Sequence, residues 1–431
     1  KMKYCARCLY PENAKPTIIF DEDGICSGCR YIESRKHLEI DWTQRQEILK
    51  EITEKAKFRA KKLGNSHDCI IPVGGGKDSH FQVWAMQKLY GMNPLLVTYN
   101  HSFNTPAGNW NLNNLVEKSG CDLIRFSTGP NAAKKISRYM LEKVGDITWH
   151  YHAGIRTFPF QMAVKYNISD VFLGEHGFSE LTGMVSMEDF VEHTKWSRKE
   201  HDMRGFEAEE LIGHNGITKH DISPFIYPSE EEIERVGLIG HYLSNFFNWE
   251  GKAQGEKVIE EWDFKPVTYP RERTFFQYAK IEDHANDVHD YLKYLKFGYG
   301  RATDDASMEI RHGRMTREEG MEMVKKYDAV TPSTLPLYCN LMGITVKEFY
   351  RFVEPFRDLN VWEKDADNEW KTKDAVWKQD INEQHINARP QLSNDKTFAI
   401  RNKHLYFNEN NPPEKTGVPA LDEYPSEYCA I

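Results

Sequence analysis

Cys69-Ile70-Ile71-Pro72-Val73 runs directly into Gly74-Gly75-Gly76-Lys77-Asp78-Ser79. The apolar run reads as a short buried strand. Phe81, Trp84, Ala85 and Leu89 then recur at helical spacing, so the glycines form a strand-to-helix turn. Such a turn lets the backbone present successive N–H groups to one point. The helix behind it adds a partial positive charge, and Lys77 adds a full one. Ser79 offers a hydroxyl to a phosphate oxygen, and Asp78 can hold a magnesium ion or the loop itself. The turn is a polyphosphate cradle. It lacks the spacing of a Walker A loop and of a dinucleotide fingerprint.

The pattern repeats outward from this turn. Leu95–Tyr99, Leu123–Phe126 and Val171–Leu173 are further strand candidates. Helical spacings fall between them: Leu112, Leu115 and Val116; Ala133, Ile136, Met140 and Val144; then Phe160 to Tyr166. Strands alternating with helices predict an α/β fold with a parallel, doubly wound sheet. Ligands of such sheets lie beyond the carboxyl ends of the strands, where Gly74-Gly75-Gly76 and Gly174-Glu175 both fall. Upstream, residues 41–64 predict a charged helix with Ile48, Leu49, Ile52 and Ala56 on its packed side. Thr316 with Glu319, and Thr345 with Glu348, predict capping boxes at two later helix starts. Trp362, Trp370 and Trp377 are seven or eight residues apart and predict one packed face of a helix, with a sugar-stacking platform as the alternative. The tail bearing Pro412, Pro413, Pro419 and Pro425 is expected to wrap the surface or stay loose.

Cys5-x-x-Cys8 and Cys26-x-x-Cys29 stand 17 residues apart. Two such turns bring four thiolates to the corners of a tetrahedron. Structural zinc is the reading, ahead of two disulfides or an iron–sulfur cluster. All four positions would be filled, leaving none for catalysis. Cysteines concentrated in this way, without a signal-peptide pattern, point to a reducing cytoplasm. The 431 residues carry a formal net charge of −9. That balance argues against nucleic-acid and membrane-surface partners. No apolar stretch approaches the ~20 residues of a transmembrane helix.

The loop resembles the PP-loop of the N-type ATP pyrophosphatases, usually Ser-Gly-Gly-x-Asp-Ser. It matches at Gly75, Gly76, Asp78 and Ser79 and departs at Gly74, where the family has serine. A second stretch runs from Phe297-Gly298-Tyr299-Gly300-Arg301 through Glu309-Ile310-Arg311 to Arg314-Met315-Thr316-Arg317. With the cysteine pairs, the loop and Gly174-Glu175 in the same order, it resembles bacterial N-acetyl sugar amidotransferases of surface-polysaccharide biosynthesis over most of residues 1–355.

The resemblance implies a sheet of the adenine-nucleotide alpha-hydrolase (HUP) type, with a zinc-ribbon-like N-terminal module and a mainly helical C-terminal region. It implies a four-cysteine zinc-binding module over 1–34, a linker helix over 35–66, an ATP pyrophosphatase domain over 67–230, a substrate region over 231–360 and an extension over 361–431. It also implies ATP, Mg2+ and structural Zn2+ as cofactors. The implied activity converts an acetamido sugar to an acetamidino sugar, with AMP and pyrophosphate released. Ammonia is expected from a separate glutaminase subunit, with a cyclase-like companion. Gly74, Gly75, Gly76, Lys77, Asp78 and Ser79 are expected on the phosphates, with Lys77, Asp78 and Ser79 catalytic. Tyr99, Asn100, Gly174 and Glu175 are expected around the nucleotide. Arg301, Arg311, Arg314 and Arg317 are expected either on ATP or an anionic sugar, or on a salt-bridged helix surface. His152 is expected either at the sugar pocket or as a spare histidine. The competing readings are a tRNA-thiolating enzyme of the same superfamily and a weakened ATP-binding subunit.

Overall fold

The computed structural model describes residues 1–37, 40–101, 103–184 and 190–379. Two helices, Ser27–His37 (α1) and Trp42–Leu63 (α2), precede the sheet. The sheet contains β1 (Cys69–Pro72), β2 (Pro94–Asn100), β3 (Leu123–Ser127), β4 (Asp170–Leu173), β5 (Glu192–His193) and β6 (Ile239–Tyr242), in the order β3-β2-β1-β4-β6-β5. All pairings are parallel except that of β5 with β6. Ile71 lies opposite Leu96, and Ile70 opposite both Leu95 and Val171. The order reverses between β1 and β4, which opens a crevice at their carboxyl ends.

Period-two alternation divides the core. Ile71, Leu96 and Phe172 face one layer, and Ile70, Leu95, Val97 and Val171 the other. The first layer is covered by α3 (Lys77–Tyr90) and α4 (Pro106–Ser119), the second by α5 (Pro130–Val144) and α6 (Trp149–Tyr166). Left-handed Gly91, Gly120 and Gly145 end α3, α4 and α5.

The sequence expectations are corrected in several places. On α2 the buried set is Arg45, Leu49, Thr53, Ala56 and Ala60, while Ile48 is exposed. Arg45 qualifies because its guanidinium donates to the Asn245 carbonyl at 2.8 Å and lies over the Phe190 ring. Only the last third of α6 was legible. The helix begins at Trp149 and runs through Pro159, with buried residues on all sides that erase the amphipathic period. The boundary expected at 230/231 cuts the sheet, because β6 and the helix Gly251–Trp262, which packs its Val258, Ile259 and Trp262 into the first layer, lie beyond it. Gly240 in β6 breaks the apolar run because a Cβ there would sit 2.8 Å from both Phe160 and His193.

The C-terminal region is mainly helical, as expected: Ala285–Phe297, Arg301–Arg311, Arg317–Tyr327, Leu335–Met342 and Val346–Val353. Both capping boxes are formed. The three tryptophans do not share a helix. Trp362 and Trp370 stand on a hairpin of β7 (Trp362–Lys364) and β8 (Trp370–Thr372), with left-handed Asn368 in its turn, and Trp377 lies in a 3-10 turn. Arg357 stacks on the Trp362 and Trp370 rings at 4.4 and 5.1 Å. The proline-bearing tail lies outside the described residues. Among the described residues no helix is long and apolar enough to cross a membrane.

Candidate functional site

The glycine turn occupies the crevice at the strand-order reversal. Gly76 caps α3 without a side-chain hydrogen bond, so the first amides of that helix have no capping partner. The Gly74 N–H donates to Ser79 Oγ at 2.9 Å. A Cβ on Gly75 would come 2.2 Å from the Gly108 carbonyl oxygen, and one on Gly108 would come 2.4 Å from that of Glu282. Three backbones therefore stack: the turn, the start of α4 and the segment around Glu282. Glycine is required at both contacts for closeness. At Gly74, by contrast, a Cβ would meet nothing within 4 Å.

A cleft of about 300 Å³ opens over this turn. Gly74, Gly75, Asp78, Ser79, Tyr99, Asn100, His152, Gly174 and Glu175 all line it. Tyr99 belongs there only by its place at the end of β2. Its ring is buried against Phe126 and Phe225, and Gly154 of α6 has no room for a Cβ beside it. His152 is neutral, because burial first and Arg204 second hold its pKa down at about 3. Gln82, one helical turn beyond Asp78, also lines the cleft; its amide nitrogen would clash with any side chain at Gly174.

Asp78 and Glu175 are the two expected carboxylates on this cleft. Burial, and then the Asp78 charge, raise the Glu175 pKa to about 7. Both carboxylates line the cleft, and hard oxygen donors of this kind suit a divalent cation, which would relieve the repulsion between them. The Lys77 ammonium is pulled down by burial, but Asp78, Glu175 and Glu250 outweigh that and raise it overall. Its Nζ lies 2.7 Å from Asp78 Oδ1.

The linkage has a testable sign. A carboxyl with a raised native pKa favours the fold while protonated, and that advantage is lost as pH rises through about 7. Without nucleotide or metal, Glu175→Gln should therefore be more stable than the parent at pH 8, by up to ~3 kcal/mol at ~1.4 kcal/mol per pKa unit. The gain should shrink to under ~1 kcal/mol at pH 5. Thermal melts at the two pH values decide. A gain that does not grow with pH contradicts the electrostatic reading.

A second cleft, of about 220 Å³, adjoins the first and shares Asp78, Lys280 and Glu282 with it. Gly76, Lys77, Arg301 and Arg314 line it. Both arginines are already paired. Arg301 forms a two-pronged bond to Asp290, each arm 3.0 Å, and Arg314 reaches Glu309 at 2.6 and 2.9 Å and Glu250 at 3.2 Å.

Residues 272–377 match the family described as "LPS biosynthesis protein WbpG-like, C-terminal domain". This segment is WbpG-like. Among curated proteins, the uncharacterized protein MJ1599 of Methanocaldococcus jannaschii is 22% identical over 156 residues, which is 33% of this chain and 54% of that protein. The chain spans about half the length of this curated relative. Among solved structures, the NMN synthetase from Francisella tularensis aligns with a TM-score of 0.24 at 14% identity, over 46% of this chain and 92% of that one. A likeness that slight carries no weight. The WbpG-like segment supplies most of the second cleft, including Phe276, Tyr278, Lys280, Asp305 and Glu309.

Arg311 and Arg317 also lie in the WbpG-like segment, but neither lines a described cleft. The expected substrate role is corrected for both. Each is buried against the cysteine quartet. The four Sγ atoms lie within 4.8 Å of one another, with Cys5–Cys29 at 3.9 Å and Cys8–Cys26 at 3.6 Å. A tetrahedral ion with bonds of ~2.3 Å needs separations of ~3.8 Å, so the quartet fits one. Backbone N–H groups of Arg7, Cys8, Cys26 and Cys29 point at its sulfurs. Arg311 donates to the sulfurs of Cys8 and Cys26 at 3.7 and 3.4 Å, and Arg317 to the carbonyls of Cys8 and Cys5. They bind the cysteine module to the helical region.

Sequence reading missed Glu250, Gln82, Lys280, Glu282, Asp305 and Glu309. Gln82 was within reach as a polar residue on the Asp78 face of α3. Glu250 carried a weaker signal: its carboxylate caps the helix Gly251–Trp262, accepting from Lys252 and Ala253. The other four depend on tertiary placement.

Proposed function

We propose that the chain is an ATP-dependent, AMP-forming N-acetyl sugar amidotransferase serving lipopolysaccharide or O-antigen biosynthesis. One observation carries this: a glycine-turn cleft at the sheet's switch point opens onto a second cleft walled by the WbpG-like segment. ATP with Mg2+ occupies the first cleft, its outer phosphates on the turn and its cation between Asp78 and Glu175. The acetamido group of the sugar enters from the second. An amide carbonyl is a poor electrophile, and its oxygen is a poor leaving group. Adenylating that oxygen makes it leave as AMP when ammonia adds to the carbon. Zinc in the cysteine quartet is structural. Ammonia comes from a glutaminase subunit, with a cyclase-like companion, and the setting is cytoplasmic.

Thiolation of RNA is disfavoured because no cysteine lines either cleft among the described residues. The test is to mix ATP, Mg2+, ammonium and N-acetylated sugars. Sugar-dependent AMP and pyrophosphate support the reading, and ADP with phosphate as the main products overturn it.

The open space at Gly74 gives a further expectation. Its backbone is not left-handed, so serine fits there. Gly74→Ser should add one hydroxyl facing the phosphates and tighten Mg·ATP about 5-fold, equivalent to roughly 1 kcal/mol. Titration calorimetry reads this. Weaker binding would place the phosphates elsewhere.

A further inference from the structure

Three clefts share one lining residue. Lys280 lines the nucleotide cleft, the second cleft and a third, of about 240 Å³, that reaches Asp287 and Thr334. Its setting differs from that of every other cation on the second cleft. Lys77 is paired with Asp78, Lys252 with Glu256, Arg301 with Asp290 and Arg314 with Glu309. Lys280 makes no ion pair among the described residues, although its charge is felt through space at Asp283. It is exposed within this junction.

Its backbone is also unusual. Lys280 has φ +54°, the left-handed region that disfavours a residue with a Cβ. Arg271 holds that turn in place. Its guanidinium donates to the carbonyls of Phe276 at 2.7 Å, Ala279 at 2.8 Å and Lys280 at 3.5 Å. Two residues on, the Glu282 backbone rests on Gly108, which rests on Gly75 of the phosphate turn. The strap carrying Lys280 is thus tied directly to the turn. Glycine would satisfy this backbone more easily than lysine.

We propose that Lys280 is a catalytic residue whose ammonium contacts the α-phosphate as it passes from the nucleotide cleft to the acceptor. This rests on the amidotransferase reading above. In that step a lone pair of the acetamido oxygen forms a bond to the α-phosphorus. The bond from that phosphorus to the oxygen bridging to the β-phosphate breaks, and its electrons leave on pyrophosphate. The amide N–H proton passes to water. Negative charge concentrates at the α-phosphate between the clefts, where an ammonium without a carboxylate partner is most effective.

The test compares full-length Lys280→Gln, Lys280→Gly and Lys280→Arg with the parent. Lys280→Gly relieves the left-handed backbone, so its melting temperature should not fall. Sugar-dependent AMP formation should drop about 100-fold in the Gln and Gly variants, with the KM for ATP changed less than roughly threefold, and arginine should restore part of it. A second readout needs no acceptor: the α-phosphorus resonance of bound Mg·ATP should move in Lys280→Gln while the β and γ resonances stay. If Mg·ATP binds but no sugar turns over, the amidotransferase reading falls and the phosphorus spectrum still decides Lys280. Unchanged turnover, or an unmoved α resonance, overturns the proposal.

Discussion

Asp78→Asn is expected to reduce sugar-dependent AMP formation by ~10³-fold while leaving the fold intact. Asp78 lines both clefts, pairs with Lys77 and contributes to the raised Glu175 pKa. Replacing it removes one of the two carboxylates for a divalent cation and frees the Lys77 ammonium from its partner. The same change removes a like charge from beside Glu175, whose carboxyl should ionise more readily. Stability at pH 8 should therefore hold or rise slightly as activity collapses. Product analysis with a parallel melt checks both halves. Retained AMP formation would remove Asp78 from the chemistry, and a collapse of the melt would show that it holds the loop.

Arg311→Leu is expected to lower stability by roughly 3–5 kcal/mol, the usual cost of breaking a buried charge network. The guanidinium is buried, stacks on Tyr10 at 4.9 Å and donates to the carbonyls of Glu180 and Leu181 as well as to two cysteine sulfurs. Leucine would strand those carbonyls and leave the thiolates without their counter-charge. Glu180 and Leu181 lie on the short helix Gly177–Thr182 just after Glu175, and Gly183 packs on the Ser27 carbonyl of the cysteine module. The module thus supports the wall that carries Glu175. Zinc should leave Arg311→Leu for a chelator faster than it leaves the parent. The opposite pattern, an unchanged melt with a raised KM for the sugar, would return Arg311 to the substrate.

The sheet centre and the glycine turn were legible because their signals are local. Ile70, Ile71 and Val73 before a glycine run, and Phe81, Trp84 and Ala85 after it, define strand, turn and helix without tertiary help. The cysteine spacing was legible for the same reason. What escaped was set by distant neighbours. Trp149–Phe158 mixes buried polar residues, His150 and Thr157, with an exposed Ile155, so its residue types show no amphipathic period. Ile239-Gly240-His241-Tyr242 needs its glycine for Phe160 and His193, so it does not read as a strand. The arginines show the limit most clearly. Arg301, Arg311, Arg314 and Arg317 look alike in sequence, yet two face the second cleft with their charge neutralised and two grip the cysteine module. Lys280 carries no motif; its place on three clefts, its left-handed backbone and its lack of an ion pair among the described residues single it out.

The most direct test of the central claim is a crystal structure of the chain with Mg2+ and an ATP analogue blocked between the α and β phosphates. The account predicts the β and γ phosphates on the amides of Gly74–Ser79, the cation between Asp78 and Glu175, and the α-phosphate turned toward Lys280. A triphosphate seated away from the turn, with those amides unengaged, would contradict it.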